Sequence, residues 1–125
     1  MIRFLSIIAL VSLVACKEEA VQDTSPLPLT VEAVGHFCQM NLVEHEGPKA
    51  QAHLSGLPQM PLFFSQVRDV VAYIRLPEQT HETLAIWVND MGAPEATWSA
   101  PGTTNWIDAE GAYYVVGSRV IGGMG

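Results

Sequence analysis

The order of apolar and polar positions along the chain predicts an apolar leader, a polar tether and one small mixed domain. Residues 4–15 are apolar except for Ser6 and Ser12. Twelve helical residues reach roughly 18 Å, short of the ~30 Å hydrocarbon core of a bilayer. The run therefore reads as a secretory signal rather than a membrane span. The next stretch carries Glu18, Glu19, Asp23, Pro26 and Pro28 and predicts a solvated tether with little to bury. Residues 31–40 read as a strand, residues 41–49 as a polar turn around Gly47-Pro48, and residues 51–54 as a returning strand, together a hairpin. Ser55-Gly56 and the prolines Pro58 and Pro61 break the chain. Phe63, Phe64, Val67, Val70, Val71 and Ile74 then recur at helical spacing. That helix is expected to end at Leu76-Pro77, because proline disfavours helical geometry in the residue before it. Residues 84–88 predict a strand through Ile86, Trp87 and Val88, followed by a turn at 89–92. Residues 104–107 predict a short strand, and residues 113–116 a further strand closed by Gly117. The order implies an α+β domain with mainly antiparallel pairing.

The end of the leader is more specific than its length. Leu13-Val14-Ala15-Cys16 resembles a bacterial lipobox. That resemblance implies cleavage before Cys16, a diacylglyceryl group on its sulfur and acylation of the new N-terminus. Two or more acyl chains anchor stably where one is marginal. The alternative is an ordinary signal with an incidental cysteine. The expected organisation is a signal peptide over 1–15, a lipidated tether over 16–29 and a domain over 30–125. Lys17 follows Cys16, with no Asp there to signal inner-membrane retention, which favours an outer-membrane anchor facing the periplasm.

Charge removes one class of function. There are 13 acidic and 6 basic residues and a net charge of −7 with histidines neutral. A nucleic-acid binder needs a basic face to neutralise phosphates. No glycine-rich phosphate loop, Gly-x-Ser-x-Gly elbow or His-Glu-x-x-His motif is present. Glu44 and Glu46 flank His45 in a stretch that reads as a solvated turn rather than an acid–base site.

The cysteine count carries the chemistry. With two cysteines in all and Cys16 lipidated, Cys38 has no partner within its chain. A lone thiol in an oxidising compartment is buried, paired between chains or bound to metal. The plain reading is a buried inert cysteine. Its neighbours are His36-Phe37-Cys38-Gln39-Met40. On an extended strand His36, Cys38 and Met40 would share one face, about 7 Å apart. Thiolate and thioether are soft donors that favour Cu(I). Methionine suits zinc poorly, and a third Cys or His at zinc-site spacing is missing.

Several motifs taken together resemble the NosL family, the accessory lipoproteins of bacterial nitrous oxide reductase. They are Cys38-x-Met40, Glu44-His45-x-Gly47-Pro48-Lys49-Ala50-Gln51, and Phe64-Ser65-x-Val67-Arg68-Asp69. Trp87-Val88-Asn89-Asp90-Met91, Trp106-Ile107-Asp108-Ala109, Tyr113-Tyr114-Val115-Val116-Gly117-Ser118 and Gly122-Gly123-Met124-Gly125 continue the match in order. The resemblance implies a periplasm-facing chaperone that binds Cu(I) and supplies it for the copper–sulfide centre of nitrous oxide reductase, working with a membrane ABC-type complex. It implies Cys38 and Met40 as Cu(I) ligands and Met124 as a third, with His36 and His45 as weaker candidates. It also implies small ββα-type units. Because family members continue past Gly-Met-Gly, the second unit is expected to be incomplete at the C-terminus, leaving Tyr113, Val115 and Ile121 under-buried.

Two other classes stand beside the copper reading. One is a scaffold or binding lipoprotein in which Cys38 is structural. The other is a lyase or reductase with Cys38 as nucleophile, which needs a second thiol or a poised acid nearby.

Overall fold

The computed structural model describes residues 20–57 and 60–124. The expected signal peptide over 1–15 and the expected lipidation site Cys16 lie outside the described residues. Among those described, no helix is long and apolar enough to cross a membrane.

Four strands and one helix make the frame: β1 (Ala50–Leu54), β2 (Leu62–Phe64), α1 (Val67–Tyr73), β3 (Thr83–Asn89) and β4 (Trp106–Asp108). The strands form a single antiparallel sheet in the order β2-β1-β3-β4. Gln51 faces Phe63 on one side and Trp87 on the other, and Val88 faces Ile107. β1, β2 and α1 form a ββα unit, and β3 and β4 extend the same sheet. The mixed α+β architecture expected from the sequence is thus the one observed.

Strand alternation gives the sheet two buried faces. Every residue of β1 is buried, as a central strand covered on both sides requires. Ala50, Ala52 and Leu54 join Phe64, Val70 and Val88 in a core beneath α1. On the other face Phe63 packs with Leu29, Ala33 and Leu42. Consecutive phenylalanines therefore serve opposite faces. The helical stripe read through Phe63 and Phe64 is corrected accordingly. Those two residues form an edge strand, and the helix starts at Val67, after Ser65 and Gln66 break the extended run.

Two strand expectations fail for a shared reason, the lack of a neighbouring strand. Residues 31–40 form turns, with a lone antiparallel bridge between Val34 and Asn41. β1 pairs instead with β2 and β3, so the expected hairpin does not form. Residues 113–116 lie beyond edge strand β4, and Tyr113, Val115 and Val116 are almost fully exposed. β-favouring side chains do not make a strand without a partner to bond.

The polar stretch expected to be a tether lies along the sheet from residue 22. The Gln51 amide bonds both the N–H and the C=O of Leu27, at 2.9 Å each, as a strand backbone would. Trp87 Nε1 donates to the Thr24 carbonyl at 2.8 Å, and Leu29 is buried. Side-chain amide and indole groups satisfy this strap, so its apolar content understated how firmly it docks.

Candidate metal centre

The Cys-x-Met segment is a closed loop at the edge of the sheet. Gly35 N–H donates to the Met40 carbonyl at 3.0 Å, and Gln39 N–H donates to the Gly35 carbonyl at 2.9 Å. Gln39 adopts φ +55°, the left-handed region. Its side-chain amide donates to the His36 carbonyl at 2.6 Å, a local bond that helps hold the turn. His36 N–H donates to the Phe63 carbonyl at 2.7 Å, which ties the loop to edge strand β2.

A loop that crosses a sheet edge sends side chains to both faces, and this overturns the shared face expected for His36, Cys38 and Met40. His36 turns toward Tyr73 and Phe64, with ring centroids 4.9 and 5.8 Å away, and Phe37 joins the same aromatic group. Cys38 turns the other way and packs against the cluster of Leu29, Ala33, Leu42 and Phe63. The thiol is free, half-buried, and 3.9 Å from the Met40 carbonyl oxygen. Met40 is 40% exposed at the loop's end. The Cys38 side chain lies so close over Gly35 that a Cβ there would stand 2.4 Å from Sγ and 3.0 Å from a Leu42 methyl. Only glycine leaves that space.

Met124 sits in a separate, half-buried turn. The neighbouring Gly123 presses against Glu46, where a Cβ would stand 2.1 Å from the Glu46 carbonyl oxygen. The sequence motif therefore has a local structural role, and the turn rests on the loop that follows the 3₁₀ turn Leu42–Glu44.

That loop is organised by Lys49, which sequence reasoning treated only as part of a motif. Lys49 is fully buried. Its Nζ donates to the carbonyls of His45, Glu46 and Gly47 at 2.7, 2.8 and 2.6 Å. Its backbone N–H donates to Asn89 Oδ1 at 2.7 Å, and its carbonyl accepts from Asn89 N–H at 3.0 Å. Burial pushes the ammonium down to about 8, opposed by the charges of Cys38 and Glu46. His45 contributes its carbonyl to this arrangement and lines a cleft of about 630 Å³ with Val43, Lys49 and Asn105. A second cleft, of about 760 Å³, opens between Gln66, Asp90 and Gly122. Neither cleft is lined by Cys38 or Met40.

Among the described residues no three His, Cys, Asp or Glu side chains cluster as metal donors. The soft donors at the edge loop are the thiol of Cys38 and the thioether of Met40, a pair suited to a monovalent soft ion.

A family model described as NosL matches residues 26–125. The chain is 57% identical over 125 residues to a copper-binding lipoprotein NosL of Achromobacter cycloclastes, covering 99% of this chain and 64% of that protein. It is 32% identical over 110 residues to a copper-binding lipoprotein NosL of Stutzerimonas stutzeri, covering 87% of this chain and 55% of that one. It thus spans less than two thirds of either lipoprotein's length. The crystal structure of the copper chaperone NosL from Shewanella denitrificans matches with a TM-score of 0.74 at 27% identity, over 82% of this chain and 75% of that one.

Proposed function

Because this chain belongs to the NosL family, we propose that it is a lipid-anchored, periplasm-facing Cu(I) chaperone that hands its cargo to the maturation machinery of nitrous oxide reductase. Cys38 and Met40 supply the primary ligands and Met124 a third. The observation that carries this reading is the edge loop, which presents a free, half-buried thiol and a partly exposed thioether two residues apart.

The geometry suits transfer. The Cys38 sulfur held over Gly35 is fixed by packing, while Met40 at the loop's end remains open to an approaching ligand. Two or three sulfur donors hold Cu(I) and leave a coordination position for the acceptor, so the ion moves by ligand exchange. Closed four-ligand sites are structural rather than transferring. Binding displaces the thiol proton, so affinity falls as the solution is acidified. The acceptor and its ABC-type partner complex follow from the family resemblance, as does an anchor through Cys16. The relatives bearing the words copper-binding lipoprotein support both the cargo and the anchor.

The test is Cys38→Ser in the mature protein, titrated anaerobically with Cu(I) against a competing chelator. Wild-type protein is expected to take up one equivalent and the variant none. Undiminished stoichiometric binding by a folded Cys38→Ser would overturn the assignment in favour of a structural cysteine.

A further inference from the structure

Two segments carry the sulfur donors, and one buried side chain joins them. Cys38 packs on Leu42, and the Leu42 carbonyl accepts from His45 N–H at 3.2 Å. The carbonyls of His45, Glu46 and Gly47 all turn inward onto Lys49 Nζ. Gly123, immediately before Met124, is seated on Glu46. Lys49 is in turn locked to β3 by two bonds with Asn89. Three carbonyls do not converge by themselves, because their dipoles repel. A cation at their focus is what holds them together.

We propose that Lys49 is a positioning residue of the copper site, its ammonium shaping the 45–47 turn into the seat that brings the Met124 segment into register with the Cys38 loop. The inference rests on the copper reading above and assigns Lys49 no direct contact with the ion. A lysine in this position does two things. It fixes the backbone geometry of the 45–47 turn, and it sets a buried positive charge at the focus of that turn. Groups that orient metal ligands from outside the coordination sphere commonly change affinity by about ten- to a hundredfold.

Three variants test this: Lys49→Met, which keeps the stem and removes the charge; Gly123→Ala, which lifts the turn off the Glu46 carbonyl that Lys49 holds; and Met124→Ala. Each is compared with wild type by chelator competition, with circular dichroism as the check on folding. Lys49→Met and Gly123→Ala are each expected to weaken Cu(I) binding about ten- to a hundredfold. Met124→Ala should weaken wild type but add nothing in the Gly123→Ala background, because the same link is already broken. A merely structural role would leave the two effects additive. Wild-type affinity in a folded Lys49→Met, or additive losses in the Gly123→Ala, Met124→Ala double variant, would overturn the proposal. Should Lys49→Met fail to fold, Lys49→Gln takes its place, with the same weakening expected and wild-type affinity again overturning the proposal. Wild-type protein that takes up no Cu(I) ends the copper reading itself. Uptake that is normal in wild type, weakened by Met124→Ala and indifferent to Lys49→Met and Gly123→Ala ends only the role of Lys49.

Discussion

At the scale of single residues, the site depends on close approach more than on unusual chemistry. Gly35 lets the Cys38 sulfur lie against the backbone, and Gln39 closes the loop from the left-handed region. Adding one methyl group at Gly35 would force Sγ and Leu42 outward together. Gly35→Ala is expected to destabilise the fold by about 1–3 kcal/mol, the range for overpacking, and to weaken Cu(I) uptake while the sheet persists. Denaturation and chelator competition on the same preparation check both effects. A variant with wild-type copper affinity would show that the thiol's position over Gly35 is immaterial. The proposed donors rest on the sequence, where a lone cysteine two residues from a methionine suggests a soft site. Their arrangement was not. Alternation along an extended strand put His36 with Cys38, whereas the left-handed turn at Gln39 and the tie from His36 to Phe63 divide them between two faces. A short turn of this kind leaves no periodic signal.

At the scale of elements, patterns were readable where burial was one-sided or complete and unreadable where pairing decided. β1, β3 and the body of α1 stand close to their expected positions because apolar runs and stripes dictate them. The strap over residues 22–29 was missed because it docks through Gln51 and Trp87 rather than through its own apolar residues. The strap also has a chemical consequence. His53, on the same face of β1 as Gln51, is 5% exposed, and its Nε2 has no partner. Burial pushes its pKa below the ordinary 6.5, with the Asp23 carboxylate opposing. The unfolded chain therefore binds the proton more readily than the folded one. The stability contribution is complete above 6.5 and is lost as the pH falls from 6.5 toward the folded value. Chemical denaturation at pH 7 and pH 5 is expected to show a larger loss in wild type than in His53→Leu. Equal losses would mean that His53 titrates alike in both states.

At the scale of the molecule, one antiparallel sheet divides the labour. Its α1 face holds the main core, and its other face holds the smaller cluster on which Cys38 rests. Edge strand β2 is where the Cys38 loop crosses from one to the other. On the proposed reading, a site at an edge rather than in a cleft keeps the ion reachable by a protein acceptor. The exposed residues 113–116 lie outside this sheet, and their apolar side chains are left uncovered. The measurement that reaches the central claim most directly is copper K-edge X-ray absorption on the anaerobically loaded protein. The account predicts one Cu(I) per chain in a low-coordinate, sulfur-dominated shell that loses a sulfur in Met40→Ala and does not assemble in Cys38→Ser. A shell of nitrogen and oxygen donors, or a sulfur shell unchanged in both variants, would contradict it.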